Sequence, residues 1–129
     1  MNNLMKDKRG LVMGVANDKS IGWGIAKAIA DQGGELAFTY QGEALKKRVI
    51  PLADSVNSDI VLPCDVSNDE DIDNTFNELK KKWPKIDFLV HAIAFSDKDE
   101  LKGEYIDTSR ENFKNTMDIS VYSFTAIAR

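Results

Sequence analysis

The first hydrophobic feature of the chain is an unbroken apolar run, Leu11 to Ala16, the pattern of a strand buried on both faces of a parallel sheet. The polar turn Asn17-Asp18-Lys19-Ser20 follows. Ile21, Ile25 and Ile29 then recur every four residues, predicting a helix that Ser20 caps and Gly33-Gly34 ends. Leu36 to Tyr40 reads as a second strand. Leu45, Val49, Leu52 and Val56 step along a second helix, which Pro51 is expected to bend, and Ile60 to Cys64 gives a third strand. Ser67 and Glu70 have the spacing of a capping box, and Ile72, Phe76, Leu79 and Trp83 supply the stripe of a third helix before Pro84. The first half of Ile86 to Phe95 reads as a fourth buried strand. Asp97 to Ser109 reads as loop, and from Arg110 the residues Phe113, Met117, Val121, Phe124 and Ala128 trace the face of a last helix. Strands alternating with helices in this way predict right-handed crossovers and an α/β, Rossmann-like, doubly wound parallel sheet of about four strands.

At 129 residues and 43% apolar content, the chain has the length and core-forming capacity of one domain, expected to span residues 1–129. Its 17 Lys+Arg against 21 Asp+Glu, a formal net charge of −4, argue against a nucleic-acid partner bound through a basic face. The lone Cys64 excludes an internal disulfide and a cysteine-clustered zinc site, and fits a reducing cytoplasm. The apolar run after the charged start is too short for a signal sequence or a membrane span, so a cytoplasmic protein without membrane association is expected.

The turn after the first strand carries the most chemistry. Gly14 closes the strand, and Ser20, Gly22 and Gly24 open a helix whose first N–H groups can hold a pyrophosphate. Five residues separate Gly14 from Ser20, which departs from G-x-G-x-x-G. The same stretch is a poor P-loop, because no second glycine precedes Lys19. Asp65 and Val66 follow the third strand; a carboxylate there can accept from an adenine amino group while the next N–H donates to a ring nitrogen. Without the glycine turn, an aspartate in a plain strand-to-helix turn is the commoner reading. His91, the only histidine, lies in an apolar run and reads as a packing residue rather than a base.

Gly14 to Ala26, Ala37 to Glu43, Cys64-Asp65-Val66 and His91 to Phe95 together closely resemble the bacterial NADH-dependent enoyl-[acyl-carrier-protein] reductases, divergent members of the short-chain dehydrogenase/reductase superfamily. The resemblance continues through Glu100-Leu-Lys-Gly, Asp107-Thr-Ser-Arg and Tyr122-Ser-Phe124. The Gly-x5-Ser spacing is the form that separates these reductases from ordinary superfamily members. The resemblance implies reduction of trans-2-enoyl thioesters carried on acyl carrier protein, NADH as cofactor, and a homo-oligomer, a tetramer by family likeness. It assigns Gly14, Ser20, Ile21, Gln41, Asp65, Val66 and Ile93 to the cofactor, and sets Phe95 and Ser96 beside the acyl substrate. Ala92 stands where many relatives have serine, and Ala94 where glycine is frequent.

Relatives are about twice as long, so the sequence reads as the first half of the complete fold. The family's catalytic tyrosine and lysine are expected in the second half, leaving no catalytic residue in these 129. Tyr40 and Lys47 have the matching Tyr-x6-Lys spacing, but they sit at the end of strand two, on the adenosine side. Two other classes compete: a non-catalytic adenosine-binding or assembly fragment, and a phosphoacceptor signalling domain. The second lacks an acidic cluster after strand one and a fifth strand. The apolar stripe of the last helix is expected to serve as an assembly surface as well as core.

Overall fold

The computed structural model describes residues 3–129. Its backbone falls into two compact units, Met1–Ala92 and Ile93–Arg129. In the first, β1 (Arg9–Met13), α1 (Ile21–Asp31), β2 (Glu35–Tyr40), α2 (Glu43–Ser55), β3 (Val61–Pro63), α3 (Asp69–Lys82) and β4 (Phe88–His91) alternate along the chain. The four strands form one parallel sheet in the order β3-β2-β1-β4, with Leu11 opposite Ala37 on one side and Leu89 on the other. Right-handed crossovers from β1 through β2 to β3 keep α1 and α2 on one face, and the return across the sheet to β4 puts α3 on the other. This is the doubly wound, Rossmann-like arrangement that the alternation of elements predicts.

The central position of β1 explains its composition. Leu11, Val12 and Met13 are fully buried, because a strand flanked by neighbours and covered by helices on both faces has no side in water. Val12, Leu36 and Phe38 meet Trp23 and Ala26 of α1 and Val49 and Ala53 of α2 in one core cluster, with the Trp23 and Phe38 ring centroids 6.2 Å apart. Phe38 is wholly enclosed there, and truncation to alanine would cost about 3–5 kcal/mol.

Several elements differ from the sequence pattern. Strand one runs from Arg9 to Met13 rather than from Leu11 to Ala16, since Gly14 adopts a φ of 102° and ends the extended backbone. The isoleucine stripe of α1 turns inward only at its end: Gly22, Trp23 and Ala26 are buried and Ile29 packs against the core, while Ile25 is exposed and Ile21 is 80% exposed. Steps of four overshoot the 3.6-residue turn by about 40° each, and the larger tryptophan wins the core. Ser20 stands at the N-cap of α1 but makes no cap bond with its side chain. The cap of α3 is Asn68, which accepts from the Asp71 N–H, instead of the Ser67–Glu70 box. Strand β4 is half-buried rather than buried, as suits a strand paired to β1 alone in this sheet.

The second unit contains two short 3-10 turns, Lys98–Leu101 and Tyr105–Asp107, within the stretch that reads as loop. A helical run follows as α4 (Arg110–Met117), a π turn (Asp118–Tyr122) and α5 (Ser123–Ala128). Here too the inward face is not the apolar stripe. Asn112, Ser123, Ala126 and Ile127 are buried, whereas Phe113, Met117, Val121 and Phe124 are exposed. The inward polar groups find hydrogen-bond partners, which residue polarity alone does not reveal.

Candidate functional site

The candidate residues of the first unit gather at the carboxyl ends of adjacent strands. Gly14 directly follows β1, Gln41 directly follows β2, and Asp65 lies two residues beyond β3. Between β1 and β4 the strand order reverses, the place where doubly wound sheets open a ligand crevice. Gly14 is there by necessity: a Cβ built on it would fall on the backbone carbonyl of Ala92, and its φ is left-handed. Beyond it, the Ser20 hydroxyl accepts from the N–H groups of Ala16 and Asn17 at 2.9 and 3.1 Å, pulling the five-residue loop closed. The Asn17 side chain accepts from Lys19 N–H at 2.8 Å.

This spends the Ser20 side chain on the loop instead of the helix. The first helical bond runs from Gly24 N–H to Ser20 O, so the N–H groups of Ile21, Gly22 and Trp23 precede the ladder. Together with the positive end of the α1 dipole, they offer an anion site of the pyrophosphate kind. The exposed Ile21 stands at its mouth. Gly24 adds room, since no atom lies within 4 Å of where its Cβ would be.

Asp65 is shaped by its neighbours. Its Oδ1 accepts from both the N–H (2.9 Å) and the hydroxyl (2.6 Å) of Ser67, and its own N–H donates to the Asp71 carboxylate. A carboxylate has a second oxygen to accept with and the next residue, Val66, has an N–H to donate, the two kinds of group that an adenine edge requires. Cys64, just ahead, extends the sheet by donating from its N–H to Tyr40 O. Burial pushes its thiol pKa up against a Thr75 hydrogen bond that lowers it, with the Asp71 and Asp65 charges adding to the rise, so it stays a neutral thiol at pH 7. Gln41 is exposed at the end of β2, before Gly42 turns the chain into α2. The His91 pKa is lowered, chiefly by burial, consistent with a neutral packing residue.

In the second unit, Ile93 is half-buried and the Phe95 ring is 49% exposed. The Phe95 backbone is bonded at both ends to Ser120: its N–H donates to Oγ (3.0 Å), and Oγ donates back to its carbonyl (3.2 Å). The Ser96 hydroxyl accepts from the Asn112 amide and the Thr116 hydroxyl, each at 3.1 Å.

A model of the enoyl-(acyl carrier protein) reductase family matches residues 14–129, nearly the whole chain. The chain belongs to the enoyl-(acyl carrier protein) reductase family. An enoyl-[acyl-carrier-protein] reductase [NADH] of Rhizobium meliloti is 64% identical over 129 residues, which are all of this chain and 48% of that protein. The corresponding reductase of Aquifex aeolicus is 52% identical over 126 residues. Among solved structures, FabI from Candidatus Liberibacter asiaticus superposes with a TM-score of 0.98 at 54% identity, over all of this chain and 50% of its own. The Anaplasma phagocytophilum reductase in complex with NAD superposes with a TM-score of 0.94 at 56% identity, over 99% of this chain and 49% of its own. The chain thus spans about half the length of the relatives it matches.

Within this chain, sequence reasoning missed the residues that brace the candidate site. Ser67 and Asp71 hold the Asp65 turn, and Thr75 donates to Pro63 O at 2.8 Å, tying α3 to the end of β3. Asn112, Thr116 and Ser120 hold the Phe95–Asp97 segment. The available signal was a polar residue every fourth position in the last helix. The cleft lined by Lys27, Asp31, Gly34, Ser58 and Trp83, about 400 Å³, lies at the opposite, amino edge of the sheet and holds none of the candidate residues.

Proposed function

We propose that the complete protein reduces the double bond of trans-2-enoyl thioesters presented on acyl carrier protein, with NADH as the reductant. The observation that carries this is the convergence of the Gly14–Ser20 turn, Gln41 and Asp65-Val66 on neighbouring strand ends, in a chain 64% identical to a reductase named for NADH. When bound, the dinucleotide supplies hydride to the β-carbon of the enoyl group. The chain's own contribution is to bind and orient. The α1 amino end and Ser20-closed loop hold the pyrophosphate, and Asp65 with the Val66 N–H reads adenine. Gln41 and Ile21 flank the adenosine, and Ile93 lies toward the nicotinamide half. Phe95 and Ser96 border the acyl group. The residues 1–129 together form the nucleotide-binding domain.

NADH is favoured over NADPH by the family. Of Lys46, Lys47 and Arg48, the cations after β2 that could reach the 2′-phosphate of NADPH, Lys46 lies 5.9 Å from the Tyr40 ring centroid and 4.0 Å from the Glu43 carboxylate. The protein is proposed to act in the cytoplasm; among the described residues, no helix is long and apolar enough to cross a membrane. It is further proposed to assemble as a homo-oligomer, a tetramer by family likeness, through the exposed stripe of the last helix.

Residues 1–129 alone do not catalyse the reaction in this reading. The only tyrosine and lysine with catalytic spacing, Tyr40 and Lys47, sit at the end of β2 and in α2, on the adenosine side. Catalysis needs reacting groups within about 3–3.5 Å. The test is oxidation of NADH and of NADPH with an enoyl thioester, run on the complete protein and on residues 1–129. Turnover by the complete protein with the higher specificity constant for NADH, and none by residues 1–129, is expected. A preference for NADPH, or turnover by residues 1–129 that Tyr40→Phe abolishes, would overturn the respective part.

A further inference from the structure

One side of the last helical run carries a column of polar side chains that nucleotide binding leaves unexplained. Asn112, Thr116 and Ser120 succeed one another at intervals of four, and all three bond to the same short segment. Asn112 Oδ1 accepts from the Asp97 N–H at 3.0 Å, Asn112 Nδ2 and Thr116 Oγ1 both reach the Ser96 hydroxyl, and Ser120 takes both ends of the Phe95 backbone. Residues four apart on a strict α-helix drift about 40° round the axis at each step. Ser120 lies in the π turn Asp118–Tyr122, whose wider winding offsets part of that drift and keeps the third hydroxyl with the other two.

The column is itself braced. Buried Asn112 donates to Thr108 Oγ1, and its N–H is capped by Ser109, whose own hydroxyl donates to Glu100. This effort is not aimed at burying Phe95, whose ring remains about half exposed. A side chain left open to solvent on a backbone fixed at N–H and carbonyl together is the arrangement of a presented group.

We infer that Ser120, backed by Asn112 and Thr116, is a positioning residue that sets the Phe95-Ser96 segment for the acyl group. The inference rests on the proposed placement of Phe95 and Ser96 beside the substrate. It adds residues, not contacts with substrate: the helix acts through the segment it holds.

The test compares Ser120→Ala, Ser120→Thr and Phe95→Ala in the complete protein. Three measurements are made on each: amide hydrogen exchange at Phe95, kcat/KM for an enoyl thioester, and the NADH dissociation constant. Ser120→Ala is expected to speed exchange at Phe95 and to lower kcat/KM about tenfold with NADH affinity unchanged, on the scale by which small misplacements slow catalysis. Ser120→Thr, which keeps the hydroxyl, is expected to restore both. Unchanged exchange in Ser120→Ala overturns the clamp. Faster exchange with kcat/KM unaltered by Ser120→Ala but reduced by Phe95→Ala overturns positioning while the substrate placement stands. If both variants leave kcat/KM unaltered, the substrate placement of Phe95 is itself wrong, and the positioning role falls with it. Equal losses in NADH affinity and kcat/KM, unrescued by threonine, indicate general structural damage and also overturn it.

Discussion

Replacing Gly14 with alanine probes the nucleotide turn where it is tightest. A φ of 102° is left-handed backbone, which costs a residue with a Cβ about 1–3 kcal/mol. The new methyl would also collide with the carbonyl oxygen and carbon of Ala92. The clash is with main chain, which has no rotamer by which to turn aside, and the strand end that carries it is bonded from Ala92 N–H to Met13 O at 2.9 Å. Relieving the overlap means shifting backbone between β1 and β4, at about 1–3 kcal/mol more. The expected loss for Gly14→Ala is therefore about 2–6 kcal/mol, at or beyond the upper end of ordinary point substitutions. Gly24→Ala is the control: it is helical, with nothing within 4 Å of the added methyl, and should gain about 0.5–1 kcal/mol from helix propensity. Urea unfolding of the complete protein and both variants, compared at equal m-values, measures the difference. A Gly14→Ala variant within about 1 kcal/mol of the parent would refute the account of why glycine is required there.

Asp65→Ala should weaken NADH binding by about 1–3 kcal/mol, the scale of a lost buried polar partner, and an unchanged dissociation constant by titration calorimetry would remove Asp65 from the site. Glu100 accepts from the Ser109 N–H and hydroxyl and from Thr108, which hold its carboxyl below the usual value. A lowered folded pKa stabilises fully above the ordinary glutamate value of 4.5, and that stability fades as pH falls through the folded value. Unfolding followed from pH 7 downward should thus show Glu100→Gln less stable than the parent at neutral pH, with the gap closing in acid; a constant gap would exclude the carboxylate as its source. Phe124→Glu, on the exposed stripe of α5, should shift the complete protein to a smaller species in sedimentation, and an unaltered assembly would place the subunit contact elsewhere.

The sheet was legible because apolar runs bounded by turns encode it directly. Leu11–Met13, Leu36–Phe38 and the Ile72-Leu79-Trp83 stripe lie in the core as their patterns predict. The strand-end placement of Gly14, Gln41 and Asp65 followed from the same reading. Two things did not. Which face of a short helix turns inward depends on side-chain size and on partners elsewhere, so Trp23 lies in the core while Ile21 and Ile25 stay exposed, and hydrogen-bonded Asn112 lies inward while Phe113 does not. Caps also depend on competition for one hydroxyl: Ser20 turns to its loop, and Ser67 turns to Asp65, leaving Asn68 to cap α3. Spacing shows that a hydroxyl is within reach of an N–H, but not which of several N–H groups it will serve.

The Ala92 carbonyl, standing where a Gly14 side chain would begin, also bears on how the chain can vary. The contact is made main chain to main chain, so the identity of residue 92 scarcely enters it. The restriction therefore falls on Gly14 itself, which has no freedom to gain a side chain while the backbone at 92 keeps its path, whereas position 92 can change its side chain without touching this contact.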